Sequence, residues 1–316
     1  MESNNPSEPE QASGAAADAA KQRAEVAKRL LDAYVEGHDI PLTLDPKPVN
    51  PGEVHKLVRP SWNYLTAAKE IVENMLTAAA RQRALQRAYE GKQLSGQLRQ
   101  SDQDLLRAAL VFAGAGLDST LKQLLKDCLS EMTRWSDDAD EKLKRYAADH
   151  IKDEIEHNEP SMLVDALLSD RPRDVLEANH INSLIGGSLQ SNQQVQAAAA
   201  ALGVKNVKFF KRTNPDQNNT LKKMFQARNT IVHELDIRER DMAARGVLSH
   251  LRITRTVNDT RVWAAEALSV AQFVVNDVNA RLKKQMQGER QLTAESPAKS
   301  TTQEPEQLKL VSLPDS

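Results

Sequence analysis

Apolar residues recur every three or four positions through most of this chain, and no stretch alternates apolar and polar residues as a half-buried strand does. The chain reads as all-α. Residues 19–36 predict a first helix, closed by Gly37 as a C-cap. Pro41, Pro46, Pro48, Pro51 and Pro60 make 40–60 a loop or linker. Ser61 is an N-cap candidate for a long helix to about Glu90, striped by Tyr64, Ala68, Ile71, Met75, Ala78, Leu85 and Tyr89. A third helix starts at Ser101, with Asp104 at the capping-box position. Leu106, Leu110, Ala113, Leu117, Leu121, Leu124 and Cys128 hold one narrow stripe along it, which calls for helix partners at close range, as in a bundle.

Gly114 and Gly116 on that helix read as points of close packing. A phosphate loop would need a preceding strand and a following Lys-Ser/Thr, and has neither. Residues 137–157 form a highly charged, solvated helix, and short helices and turns fill 161–203, broken at Gly186-Gly187 and ended by Gly203. A further helix runs from Thr220, as N-cap, to Glu239. The last, over 258–285, sets Trp263, Ala267, Val270, Val274 and Val278 on one face. Residues 1–18 and 286–316 are polar and are expected to be disordered. The core bundle is therefore placed at 99–285, and 19–98 is expected to form a separate N-terminal helical layer.

Composition agrees with helices: of 316 residues only 4% are aromatic. The net charge of −2 gives no global basic field, so any nucleic-acid binding has to come from a local patch. One local excess exists. Between 205 and 228, Lys205, Lys208, Lys211, Arg212, Lys222, Lys223 and Arg228 stand against Asp216 alone, with Phe209-Phe210 among them. Cations interleaved with aromatics suit a single-stranded nucleic acid. Surface lysines around two core phenylalanines is an equally good reading. The one cysteine, Cys128, rules out an internal disulfide and suits a reducing cytosol. No signal-peptide core and no membrane-spanning apolar run is visible, so a cytoplasmic protein is expected.

The strongest chemical signal lies in the run Leu221 to Asp236. At 100° per residue, Met224, Phe225, Ile231, Val232 and Leu235 share about 120° of arc, and Arg228 falls within it. A guanidinium rarely faces a core without a partner, because its desolvation is costly. Asn229 and His233, four residues apart, stack on one flank of the same helix. A cation, an amide and a titratable imidazole beside an apolar surface suit a phosphodiester and a proton transfer. Asp118 and Ser119 are candidates for support, with Asp118 placed to pair with Arg228 or orient His233 if the two helices pack together; a polar pair at the bundle edge is the plainer reading. His150 and His157 lack metal-ligand spacing and read as a solvated face; no metal and no cofactor is expected.

Arg228-Asn229-Thr230-Ile231-Val232-His233, preceded by Ala227 and followed by Glu234 and Asp236, resembles the Arg-Asn-x-x-x-His signature of the HEPN superfamily, nearest to its RiboL-PSP-HEPN branch. The run from Ala113 to Asp127 resembles an early core helix of the same branch. The resemblance spans roughly residues 100–285 and implies a HEPN-type helical bundle, here with additional N-terminal helices. It further implies a homodimer whose two motif helices share one cleft, and metal-independent RNA cleavage through the ribose 2′-OH. His233 would act as general acid or base, Arg228 would bind the scissile phosphate, and Asn229 would orient either. By analogy alone, the setting is a bacterial toxin or antiviral defence system, with an antitoxin or defence protein as a partner beside RNA. The alternative is a non-catalytic helical dimer that binds RNA or protein.

Overall fold

The computed structural model describes residues 21–32, 41–42, 51–90, 98–157, 161–237 and 251–295. Among these the protein is all-α, with no strand and a single antiparallel bridge between Ile237 and Arg252. Helix α1 covers 21–32 and is largely exposed. A 3-10 turn at Pro51–Glu53 precedes α2 (Arg59–Glu90) and α3 (Gln100–Trp135). Then come α4 (Asp137–His157), α5 (Ser161–Leu168), α6 (Pro172–Ile185), α7 (Asn192–Ala201), α8 (Val207–Arg212), α9 (Thr220–Glu234) and α10 (Val257–Glu295). The predicted end of the first helix at Gly37 lies outside the described residues.

Helix α3 is the axis of the fold. Its predicted stripe, Leu106 to Cys128, is fully buried. Each such leucine contributes about 1.5–3 kcal/mol of transfer free energy. Helices α2 and α10 pack along it, α9 lies against α3 and α10, and α4, α6 and α7 also contact α3. All of this is one hydrophobic core. Helix α2 therefore belongs to the central bundle, where a separate N-terminal layer was expected.

Two boundaries differ from the expectation. Helix α2 begins at Arg59, so Ser61 is inside it and buried, while Pro60 sits in the first turn, where a missing N–H costs nothing. The buried face of α2 is Trp62, Leu65, Ala68, Val72, Leu76 and Ala79, while Tyr64, Ile71 and Tyr89 are exposed. The helix carries two apolar sets, and the one that meets α3 is decided by packing. Helix α10 runs on to Glu295, past the expected limit at 285.

Gly116 explains the closeness of α2 to α3. A Cβ there would lie 2.3 Å from the Ala68 Cβ and 3.2 Å from a Leu268 methyl. At Gly114 a Cβ would make only an ordinary contact, 3.5 Å from the Arg228 Cγ. Both substitutions to alanine gain similar helix propensity, about 1 kcal/mol. We expect Gly116→Ala to lose about 1–3 kcal/mol by overpacking, and Gly114→Ala to be neutral or stabilising. Urea denaturation of the two variants checks this; equal midpoints would show that α2 does not depend on the gap.

Candidate functional site

The motif lies on α9, and its position is set at both ends. At the start, the Asn219 side chain accepts from the Lys222 N–H at 2.9 Å and caps the helix, so Thr220 is its first residue and not its cap. Asn219 is held in turn by Asn192, whose Nδ2 donates to its Oδ1 at 3.0 Å. Leu221, Met224, Phe225 and Ala227 then seat the first half of α9 in the core. Beyond Ile231 the apolar arc leaves the core: Val232 is 42% and Leu235 62% exposed.

The end comes at Glu234, well before the expected Glu239. Leu235 and Asp236 turn into the left-handed region, with φ of 52° and 62°. That conformation costs roughly 1–2 kcal/mol for a residue with a Cβ. A buried ionic network offsets it. The fully buried Asp236 carboxylate accepts from Arg107 Nε at 2.9 Å and from Arg255 Nε at 3.0 Å. Arg107 also donates to the Ile253 carbonyl at 3.1 Å, and the Ile253 N–H donates to the Asp236 carbonyl at 2.8 Å. Gln103 exchanges two hydrogen bonds with the Arg255 backbone, at 2.9 and 2.8 Å. Asp104, expected as a capping residue, instead pairs with Arg107 and Arg252. The network ties α3, the end of α9 and the segment before α10 into one unit. Arg107 has a signal in the sequence, since it shares a helix flank with Leu110, Gly114 and Leu121.

On this fixed helix, the Arg228 stem passes over Gly114, which brings together the two sequence patches that carry the resemblance. Arg228 is half-buried, and its Nη1 donates to Asn229 Oδ1 at 3.1 Å. Its Nε is buried without a partner. Among the described residues no carboxylate forms an ion pair with it, in contrast to Arg107, Arg212 and Arg255. Asn229 and His233 are both exposed. The result, among the described residues, is a cation without an ion pair on the same helix as an accessible imidazole.

Asp118 takes no part in this group. It accepts from the Leu189 N–H at 2.6 Å and pairs with Lys122 at 3.1 Å, so it secures the loop between α6 and α7. Ser119 beside it is half-buried.

The basic strip divides. Arg212 makes two 2.7 Å bonds to Glu266 on α10 and is a structural residue. Lys205 pairs with Asp138 at 2.6 Å. Lys222 donates to the Pro215 carbonyl at 3.0 Å. Lys208, Lys211 and Lys223 are exposed and form no ion pair among the described residues. Phe209 is buried and packs on Phe210 and Phe273, with ring centroids 5.3 and 5.2 Å away. Phe209 is core and Phe210 is partly buried against it, so the pair serves packing first.

A cleft of about 260 Å³ opens beside the motif, with Lys222, Phe225, Gln226 and Asn229 on the α9 side. The facing wall comes from the loop entering α7.

Elsewhere, His150 stacks on Tyr146, and Tyr146 on the buried His180, with centroids 5.4 and 4.4 Å apart. Burial pushes His180 down to about 4 from the usual 6.5. It folds neutral, whereas the unfolded chain takes up its proton near 6.5. Stability is therefore whole above that pH and falls as pH drops towards 4, by up to about 3 kcal/mol. We expect His180→Phe to melt at acid pH with a smaller decrease than the parent, and identical melting curves from pH 7 to 4 would refute this. Burial likewise pushes the Cys128 thiol up to about 12, which leaves it unreactive.

Among the described residues no helix is long and apolar enough to cross a membrane, and no His, Cys, Asp and Glu side chains gather as a metal site. Comparison of the chain with protein-family models, with curated proteins and with solved structures returns no match.

Proposed function

We propose that this protein is a metal-independent endoribonuclease of the HEPN type. The observation that carries the reading is Arg228: a half-buried guanidinium that has no carboxylate partner among the described residues, on the same helix as an exposed histidine. Desolvating a cation costs several kcal/mol, and an anionic ligand relieves that cost. A phosphodiester supplies the anion, and Arg228 can bind it and stabilise the charge that develops on it.

In this reaction the ribose 2′-oxygen attacks the adjacent phosphorus and loses its proton to a general base. The bond from phosphorus to the 5′-oxygen breaks, and that oxygen takes a proton from a general acid. The products are a 2′,3′-cyclic phosphate and a 5′-OH. His233 serves one of these proton transfers, and the motif of a second copy supplies the other. Asn229, bonded to Arg228, orients the phosphate or the imidazole.

The exposed Val232 and Leu235 support the homodimer, since they place an apolar surface beside the motif. A strictly monomeric mass by light scattering at micromolar concentration would overturn the shared cleft. The same apolar surface also favours a second reading, a non-catalytic module that binds a partner protein. A toxin or defence setting rests on the resemblance alone. Incubating purified protein with RNA in EDTA and mapping the product ends tests the catalytic reading. Cyclic phosphate and 5′-OH ends are expected, and cleavage that needs added Mg²⁺ would overturn it.

A further inference from the structure

We propose that the cleft between α9 and the loop entering α7 is a base-binding subsite, which takes the base of a nucleotide flanking the scissile phosphate and favours a base with an exocyclic amino group. The proposal rests on the ribonuclease reading for its substrate class. Its structural basis is independent of catalysis.

The cleft shares Asn229 with the motif, so anything bound there lies next to the proposed phosphate site. Its size limits the occupant. Ligand pockets for drug-sized molecules run from about 300 to 1,000 Å³. At about 260 Å³ this one suits a single planar base better than a whole nucleotide. Pro215 and Phe225 supply apolar lining, as a heterocycle requires, and Gln226 offers both a donor and an acceptor at the wall.

The preference for an amino group comes from Asn192, which lines the cleft and is only 4% exposed. Its Nδ2 donates to the Asn214 carbonyl at 3.3 Å and to Asn219 Oδ1 at 3.0 Å. Both partners are acceptors, so the orientation of the amide is settled. Its Oδ1 is then a buried acceptor with no donor, and Gln190 Oε1, in the same wall, is another. A buried acceptor left unpaired costs about 1–3 kcal/mol. Two residues that line one cleft thus each carry an unpaired acceptor, and an exocyclic amine, as in adenine, cytosine or guanine, has two N–H bonds to offer. Uracil has a single ring N–H to offer. Lys222, held on Pro215, adds one positive charge at the cleft for the attached phosphate.

The test is equilibrium binding of the four nucleoside 3′-monophosphates and of ribose 5-phosphate to the parent protein, by calorimetry. None of these ligands contains a cleavable phosphodiester, so binding is read apart from catalysis. The amino-bearing nucleotides are expected to bind at least tenfold more tightly than ribose 5-phosphate, and several-fold more tightly than the uridine nucleotide. Gln226→Ala, an exposed change that leaves the core untouched, should weaken them at least fivefold. Asn192→Leu should erase the preference for amino-bearing bases; should it fail to fold, the ligand series and Gln226→Ala still decide. Equal affinity for nucleotides and ribose 5-phosphate, or no effect of Gln226→Ala, overturns the subsite. Nucleotide binding in a protein that cannot cleave RNA would keep the subsite and remove the catalytic reading. Cleavage without nucleotide binding or base preference would do the reverse.

Discussion

Replacing His233 with alanine will abolish RNA cleavage and leave the fold unchanged. His233 is the one motif side chain whose ordinary pKa lies near neutral pH, so it is the group there that can carry the proton. Loss of general acid–base help typically costs about 10²–10⁴-fold. The side chain is exposed and no core residue depends on it, so circular dichroism and the melting temperature should match those of the parent. Arg228→Ala should also lose activity, but its stem packs over Gly114 and its removal disturbs packing as well. The inactive His233 variant also isolates binding. Its affinity for RNA should fall with salt, and replacing Lys208, Lys211 and Lys223 should flatten that slope. If the His233 variant cleaves RNA like the parent, the catalytic reading is wrong and the binding module takes its place.

Asp236→Asn will destabilise the protein by about 3–5 kcal/mol. The change is nearly isosteric, so the loss is electrostatic. Arg107 and Arg255 are both buried against this carboxylate, and a neutral amide leaves Arg255 without its counter-charge and Arg107 with the more exposed Asp104 alone. The left-handed turn at Leu235 and Asp236 also loses the interaction that holds it, and the end of α9 should fray. Removing the cations together with the acid should restore stability. Asp236→Ala with Arg107→Met and Arg255→Met is expected to be more stable than Asp236→Ala alone, because unpaired charge is the cost. Urea midpoints for the set decide it. A triple variant no better than the single one would show that the network acts through its hydrogen bonds and not through its charge.

The contrast between Asp236 and Asp118 shows where sequence reading stops. From the sequence, Asp118 is a candidate partner for Arg228 or His233 if the two helices pack together, and Asp236 is an acid that follows the motif. The fold gives Asp118 to Leu189 and Lys122, and gives Asp236 the two buried arginines. Arg212 likewise looks like part of a basic strip until Glu266, 54 residues away, meets it. A side chain's partner across the fold has no periodicity to announce it.

What the sequence alone determined is the helical class, the buried stripe of α3, and the grouping of Arg228, Asn229 and His233 on one helix. Each of these is local, since a 3.6-residue repeat fixes which side chains share a face whatever surrounds the helix. The tertiary structure decided the rest. It chose which of two apolar faces of α2 is buried, drew α2 into the central bundle through the gap at Gly116, and stopped α9 at Glu234 by burying Asp236. It also left Arg228 without a carboxylate among the described residues and set Asn192 and Asn229 at one cleft. These outcomes depend on close packing and on pairing of buried charge between residues far apart in the chain, and both are properties of the assembled fold.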